Sequence, residues 1–401
     1  MTVLVADKFE QSGLDGLNAL GANIVYDPDL KGDSLRERIA SSQADVLVVR
    51  STQVTADMME SSRLAVVIRA GAGINTIDVD AASKLGIRVT NCPGKNSQAV
   101  AELAFGHIVN CDRRIADNVA DLRAGVWNKK KYSAARGLGG RTLGLIGLGK
   151  IAQEMIPKAH AFGMNVIAHS RWMTTETAAA LGIGRAETLD ELASFSDVVS
   201  IHISLTPETR NSIGARFFEL LKPGSIFINT SRAEVVDQEQ LLKAVREKNI
   251  VAGLDVFEGE PETAVGTYDG VLRNEPNVYC THHIGASTEQ AQEAIAAEVV
   301  RIVKEFRATG SVPNVVNIKR AEVATHLVVV RHLDRVGVLA YVLGVLKDEG
   351  VNVQEMENIV LGGATSAIAQ ISIDKEPSPE ALLAIKRNPN VFDASVLAIR
   401  K

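Results

Sequence analysis

The stretch Arg141-Thr-Leu-Gly-Leu-Ile-Gly147-Leu-Gly149-Lys150-Ile151-Ala152 limits the possible folds of this chain more than any other. An apolar run meets two glycines and then passes into helical spacing, which reads as strand, tight turn and helix N-terminus. Gly147 permits the turn, Gly149 lets a pyrophosphate approach the backbone, and small Ala152 lets the helix lie close to the strand. Phosphates would then meet free N–H groups and the positive end of the helix dipole. Glycine-rich turns also serve packing, so the surroundings matter. A second apolar run, Asn165-Val-Ile-Ala-His-Ser170, ends about 20 residues further on, where a dinucleotide fold places the residue that reads the ribose.

The remainder of the chain has room for such a fold and more. A length of 401 residues supports two or three domains with separate cores. A net charge of −5 supplies no basic field for nucleic acid. No apolar run reaches membrane-spanning length and the first residues lack the pattern of a secretion signal, so the expectation is a cytoplasmic protein. Cys92, Cys111 and Cys280 show no metal-ligand spacing, and an odd count argues against a disulfide framework, so buried thiols and no metal are expected.

Residues 1–90 alternate short apolar runs with amphipathic helices, a βαβα rhythm that predicts an open parallel sheet whose ligands bind beyond the carboxyl ends of the strands. Two of those ends are polar or glycine-rich: Arg50-Ser51-Thr52 and Ala70-Gly71-Ala72-Gly73-Ile-Asn75. Arg50 reads either as a surface charge or as a fork for a carboxylate or phosphate beside open backbone. Pro93-Gly94 marks a hinge before a single long helix over about Ser97–Ala124, and Lys129 to Lys131 read as a solvated face or as a reach toward a phosphate. After the glycine motif, strand–helix units suit a six-stranded sheet. A long amphipathic helix over Ser287–Thr309 returns to the first lobe. From Thr325 the pattern becomes strand, helix, strand, strand, helix, strand, a ferredoxin-like βαββαβ unit.

Three polar groups fall at strand ends of the second lobe: Arg232, Glu260 and His283. Hydride transfer to a 2-keto acid needs a proton donor for the developing alkoxide and a cation for the carboxylate. Histidine and arginine suit those tasks, and a carboxylate can hold a histidine in one tautomer. From the residues alone each also reads as structural or as loop surface.

Several ordered motifs together resemble the D-isomer-specific 2-hydroxyacid dehydrogenases over nearly all of residues 1–316. They are Gly71-Ala-Gly73-Ile-Asn-Thr-Ile-Asp78, Val100-Ala-Glu102-Leu, Gly147-Leu-Gly149-Lys-Ile, Asp197-Val-Val-Ser-Ile-His202, Ile228-Asn-Thr-Ser-Arg232, Asp255-Val-Phe-Glu-Gly-Glu260-Pro and His283-Ile-Gly285. The resemblance implies that Arg232 binds and polarises the substrate, His283 is the acid–base group and Glu260 pairs with it. It implies cofactor contacts at Gly147, Gly149, Lys150, Ile151, Ser170, Arg171, His202, Thr230, Ser231, Asp255, Gly285 and Ala286. Substrate contacts follow at Arg50, Ser51, Gly71, Ala72, Gly73 and Asn96, with a lysine of 129 to 131 reaching a neighbouring subunit. A flavodoxin-like substrate lobe (1–96 and 284–316) and a Rossmann lobe (97–283) are implied, as is a homodimer or homotetramer.

The tail, expected over 322–401, resembles an ACT regulatory domain, with Asp334-Arg-Val-Gly-Val-Leu339 and Gly350-Val-Asn352. His332, Asp334 and Asn352 match positions that hold L-serine in regulated relatives. A single such tail is similar to the branch of the family that oxidises 3-phosphoglycerate. The alternatives are an NADPH-dependent hydroxypyruvate or glyoxylate reductase and, in another class, a cofactor-sensing corepressor-like protein. Four departures stand out: Ala152 and Ala233 replace glycines, His282 replaces the proline before the histidine, and Val336 replaces a proline of the tail. A fifth concerns the cofactor. NAD is the family default, but Ser170-Arg171 stands where an acid would read the ribose, which leans toward NADP.

Overall fold

Four-residue runs rich in valine, isoleucine and leucine are too short for helices and become strands buried on both faces. The computed structural model describes residues 1–60, 62–261, 265–318 and 324–399. In its first sheet β1 (Thr2–Val5), β2 (Asn23–Tyr26), β3 (Val46–Val49), β4 (Val66–Arg69) and β5 (Arg88–Asn91) pair in parallel in the order β2-β1-β3-β4-β5. That is the flavodoxin-like order.

The second sheet holds β6 (Thr142–Ile146), β7 (Asn165–His169), β8 (Gly184–Arg185), β9 (Val198–Ile201), β10 (Ile226–Asn229), β11 (Val251–Leu254) and β12 (Val278–Cys280). Their order is β12-β11-β10-β9-β6-β7-β8, so the direction of winding reverses between β6 and β9, beside the Gly147 turn. The sheet has seven strands where six were expected. The addition is β8, two residues that pair Gly184 with Ile167 and Arg185 with Ala168, too short to show a period of two.

The helix expected over 97–124 is two helices, Ser97–Arg113 and Ile115–Arg123. Arg114 between them has φ 51°, and Asn110 Oδ1 accepts the Ala116 N–H at 2.9 Å. The Arg114 guanidinium reaches Asn277 Oδ1 at 2.7 Å, so a long-range contact holds the break where no glycine or proline marks it. Cys92 and Cys111 are buried as expected, but Cys280 is exposed because β12 is an edge strand.

The helix Glu289–Thr309 starts on a Thr288 cap and ends at Gly310, φ 74°. Its Ile295, Val299, Ile302 and Val303 join one apolar cluster with Val3, Val5, Leu17, Val46 and Ile68, so the chain returns from the second sheet to cover the first. Glu298 on this helix is buried yet fully paired. It accepts from Arg301 Nη2 at 2.6 Å and Asn314 Nδ2 at 2.8 Å, with Lys95 Nζ at 3.3 Å.

The chain divides into two compact units, Met1–Asn317 and Ile318–Lys401. In the second, β13 (His326–Leu333), β14 (Val353–Val360), β15 (Ser366–Ile373) and β16 (Val391–Ala398) form an antiparallel sheet in the order β14-β15-β13-β16. The helices Val338–Asp348 and Pro379–Lys386 pack Val342, Leu346 and Ile385 onto Val328, Val330, Ala369 and Ile371. This is the ferredoxin-like arrangement; residue 322, its expected start, lies outside the described residues. Among the described residues no helix is long and apolar enough to cross a membrane, and no cluster of metal-ligating side chains occurs.

Hydrogen bonds from Arg301, then from Asn314 and Lys95, hold the Glu298 carboxyl at about 2, well below its usual 4.5. A carboxylate whose pKa is depressed on folding stabilises fully above its unfolded pKa and loses that contribution as pH falls through the folded one. Glu298→Gln should therefore cost about 2 kcal/mol at pH 7. Thermal melts of the two proteins should converge as the pH is lowered from 4.5 toward 2; a constant gap in Tm across that range would disprove the linkage.

Candidate active site

Beyond β12 the chain passes through Thr281 and His282 to His283, whose φ is 51°. A side chain in the left-handed region costs about 1–2 kcal/mol, so something must hold it there. Asp255, which follows β11 and is 1% exposed, does so. Its Oδ1 accepts from Thr281 Oγ1 at 2.6 Å and from the Ile284 N–H at 2.9 Å, and its Oδ2 accepts from the Gly285 N–H at 2.8 Å. A Cβ on Gly285 would lie 3.0 Å from Asp255 Oδ2, which explains the glycine.

Held in this way, His283 places Nδ1 2.8 Å from Glu260 Oε2. The other Glu260 oxygen accepts the Phe257 N–H at 2.9 Å, so the carboxylate is itself fixed. A carboxylate facing Nδ1 assigns the proton to that nitrogen and leaves Nε2 free to exchange one. Arg232, after β10, is anchored through its own backbone. Asn229 Nδ2 donates to the Arg232 carbonyl at 2.9 Å, and Arg232 Nη1 donates to the Ser231 carbonyl at 2.6 Å. Burial lowers the Arg232 pKa, while Glu234 and Glu260 pull it back up. A Cβ on Gly73 would overlap the Arg232 guanidinium, so this arginine of the second lobe touches the glycine loop of the first.

The dinucleotide motif has the form its sequence demands. Gly147 has φ 88°, and a Cβ there would stand 2.6 Å from the His202 carbonyl oxygen. Around Gly149 a Cβ would meet nothing within 4 Å, and no side chain caps the helix Lys150–Ala161 that starts there. Open space in front of uncapped N–H groups fits a pyrophosphate. Thr230 Oγ1 is buried with no hydrogen-bond partner among the described residues, a second feature that suits a polar ligand group. Ser231 Oγ, by contrast, is committed to Asn229 Oδ1 at 2.8 Å, and the Ala286 carbonyl to Gln292 Nε2 at 2.6 Å. Burial pushes His202 down to about 3, and its Nε2 pairs with Ser200 Oγ at 2.9 Å. Lys150 reaches the Pro93 carbonyl at 3.5 Å and Ile151 packs into the second core. Ser170 is half-buried, and Arg171 and Trp172 are exposed after β7. Glu208 is held down first by the Thr206 hydroxyl, and Arg171 adds to the effect from nearby.

On the first lobe two residues that sequence reasoning passed over organise the cleft. Asp7, just after β1, accepts the N–H groups of Arg50, Ser51 and Thr52 at 2.6, 3.1 and 3.1 Å, and so shapes the loop after β3. Arg69, the last residue of β4, lies against Gly71, with its Nε buried and unpartnered among the described residues. Burial, then the fields of Arg232 and Arg50, lower its pKa to about 10. Three guanidinium groups thus converge. Both residues occupy carboxyl ends of parallel strands, and that position was the available signal. The Ala72 carbonyl accepts from Asn91 at 2.6 Å, and Asn96 heads the helix Ser97–Arg113 without using its side chain as a cap.

A cavity of about 660 Å³ lies elsewhere, among Arg113, Leu122, Trp127, Lys129, Tyr132 and Arg136. In the second unit His332 is buried, with Nδ1 2.8 Å from the Leu333 carbonyl and Nε2 3.1 Å from Asn358 Oδ1, so both nitrogens are engaged. Asp334 follows the end of β13 that pairs with Ser366, and Asn352 precedes the end of β14 that pairs with Ile373. They flank opposite ends of β15, roughly 23 Å apart at ~3.3 Å per residue.

Residues 105–285 match the family model described as D-isomer specific 2-hydroxyacid dehydrogenase, NAD binding domain. The chain is 38% identical over 318 residues to a D-3-phosphoglycerate dehydrogenase of Methanocaldococcus jannaschii, covering 79% of this chain and 59% of that one. It is 32% identical over 403 residues to D-3-phosphoglycerate dehydrogenase of Escherichia coli K12, covering 98% and 97%. It is 42% identical over 289 residues to a hydroxypyruvate reductase of Thermotoga maritima, covering 70% and 90%. An NAD⁺-bound 3-phosphoglycerate dehydrogenase of Entamoeba histolytica shares the fold, with a TM-score of 0.66 and 26% identity over 80% of this chain and 99% of that one. The chain therefore spans about three fifths of the Methanocaldococcus relative and nearly all of the Escherichia one.

Proposed function

We propose, since the chain belongs to the D-isomer specific 2-hydroxyacid dehydrogenase family, that it is a D-3-phosphoglycerate dehydrogenase, interconverting 3-phosphoglycerate and 3-phosphohydroxypyruvate with NAD(P). The observation that carries this reading is the convergence of Arg50, Arg69 and Arg232 beside the His283–Glu260 pair. A simple keto acid has one carboxylate and needs one such fork. A phosphorylated acid brings a further dianion, which repays the burial of additional guanidinium groups. The alternative of a hydroxypyruvate or glyoxylate reductase leaves two of the three with no substrate anion to hold. A cofactor-sensing protein would have no use for the histidine–glutamate pair.

In this reading residues 1–96 and 284–316 form the substrate lobe, 97–283 the dinucleotide lobe and 322–401 a regulatory domain. The cofactor supplies the hydride acceptor at the nicotinamide. His283 Nε2 takes the proton from the C2 hydroxyl in oxidation and returns it in reduction, and Glu260 stabilises the imidazolium that forms. Arg232 holds the carboxylate and polarises C2, while Arg50, Arg69 and the loop Gly71–Gly73 face the rest of the acid. Exposed Leu122, Val126 and Trp127 line the 660 Å³ cavity and support a homodimer or homotetramer assembled through that face, which would bring Lys129 to Lys131 to a partner subunit. Asp334 and Asn352 can meet only between copies, which favours an L-serine site shared by two chains.

A panel of kcat/KM over 3-phosphohydroxypyruvate, hydroxypyruvate, glyoxylate and 2-oxoglutarate should rank the phosphorylated acid first. His283→Ala should lower kcat by about 10²–10⁴-fold with NADH binding retained; near-normal kcat in that variant would remove the acid–base assignment. At the ribose end an acid is absent and Arg171 is present, so NADPH should serve at least as well as NADH. Arg171→Ala should raise KM for NADPH tenfold or more above its effect on NADH, since charge-assisted contacts are worth about 1.5–3 kcal/mol. Equal losses with both cofactors would refute that. Calorimetry on the full chain with millimolar L-serine should show binding, which Asn352→Ala abolishes; no heat and no inhibition would leave the second unit without a serine site.

A further inference from the structure

The reading above leaves one buried histidine of the second lobe without a role. His107, in the helix Ser97–Arg113, is 5% exposed and lies against Gly253 in the middle of β11. A Cβ on that glycine would stand 2.8 Å from the His107 Cβ, so the sheet gives up a side chain there to admit the ring. His107 Nε2 lies 3.0 Å from Thr281 Oγ1, and Thr281 Oγ1 lies 2.6 Å from Asp255 Oδ1. A hydroxyl has one proton, and the shorter contact to a buried carboxylate takes it. Thr281 must then accept from His107, which places the ring proton on Nε2. Burial lowers the His107 pKa against the pull of Asp255, in keeping with a neutral ring that donates from a single nitrogen.

The chain of contacts does not end at Asp255. Its remaining bonds go to the N–H groups of Ile284 and Gly285, the two residues after His283. We propose that His107 is a positioning residue: by fixing the Thr281 hydroxyl, it sets the Asp255 carboxylate that holds the left-handed backbone of His283, and with it the aim of the catalytic imidazole. This rests on His283 as the acid–base group. A purely space-filling His107 would need no donor, and the Thr281 hydroxyl would have no reason to face it.

The test compares His107→Leu, His107→Gln, Thr281→Val and the double variant His107→Leu/Thr281→Val in steady-state kinetics, with His283→Ala alongside. Losing the donor should lower kcat and kcat/KM for the keto acid together by roughly 3- to 10-fold, with both KM values within twofold, as expected when only the transition state is affected. His107→Gln keeps a donor and should recover most of the rate. Thr281→Val should cost more, and the double variant no more than Thr281→Val alone, because both changes break one chain. Losses that multiply, or a leucine variant with unchanged kcat, would overturn the proposal, as would a glutamine variant no better than leucine. Should the leucine variant melt below assay temperature, Thr281→Ser against Thr281→Val gives the same comparison, and serine equal to valine overturns it. Activity retained in His283→Ala would instead remove the underlying assignment.

Discussion

The chemistry of the first unit depends on where parallel strands stop. Inside a parallel sheet every backbone group is paired, but at the carboxyl end the ladder runs out and the next residues must find other partners. Asp7 follows β1, Arg50 follows β3, Arg69 ends β4, and Arg232, Asp255 and His283 come after β10, β11 and β12. Two of these are carboxylates used to satisfy loose N–H groups, Asp7 for the loop 50–52 and Asp255 for 284–285. The loops so fixed hold the cationic groups and the imidazole in place. Three half-buried arginines near one another repel, which is a standing cost that an anionic ligand would offset.

Much of this was legible in the sequence. The period of apolar runs gives both parallel sheets, and the βαββαβ tail follows from its own pattern. The backbone geometry at glycines 147 and 149 follows from the sequence because its reasons are local: one has a positive φ, the other has empty space before it. The grouping of Arg232, Glu260 and His283 was legible only through resemblance, since nothing local says that three strand ends meet. Elements fixed by distant contacts stayed hidden. Arg114 breaks a helix because Asn277 is within its reach, and β8 is too short to show a pattern. Asp7 and Arg69 look like ordinary strand-end residues until the chain is folded.

The second unit shows the converse. Its strands and helices are plain in the sequence, yet the residues matched by resemblance do not form one site in one chain. His332 serves its own sheet, and strand register separates Asp334 from Asn352 by the length of β15. An antiparallel strand inserted between two parallel ones makes this unavoidable, because the loop after β13 and the loop before β14 must lie at opposite edges. A site that needs both has to be assembled from side-by-side copies.

The path of the chain between the two parallel sheets has a mechanical result. Among the described residues it crosses from the first to the second between Asn91 and Ser97, and returns between Cys280 and Glu289. With two covalent crossings, any relative turning of the lobes has its axis near the line that joins them. His283 and the residues that Asp255 clamps, Thr281, Ile284 and Gly285, sit on the second crossing, where the lever arm is shortest. Were the lobes to turn, the imidazole would stay almost still while the far rims of the cleft swung, as print beside the spine of a book keeps its place whether the covers stand open or closed.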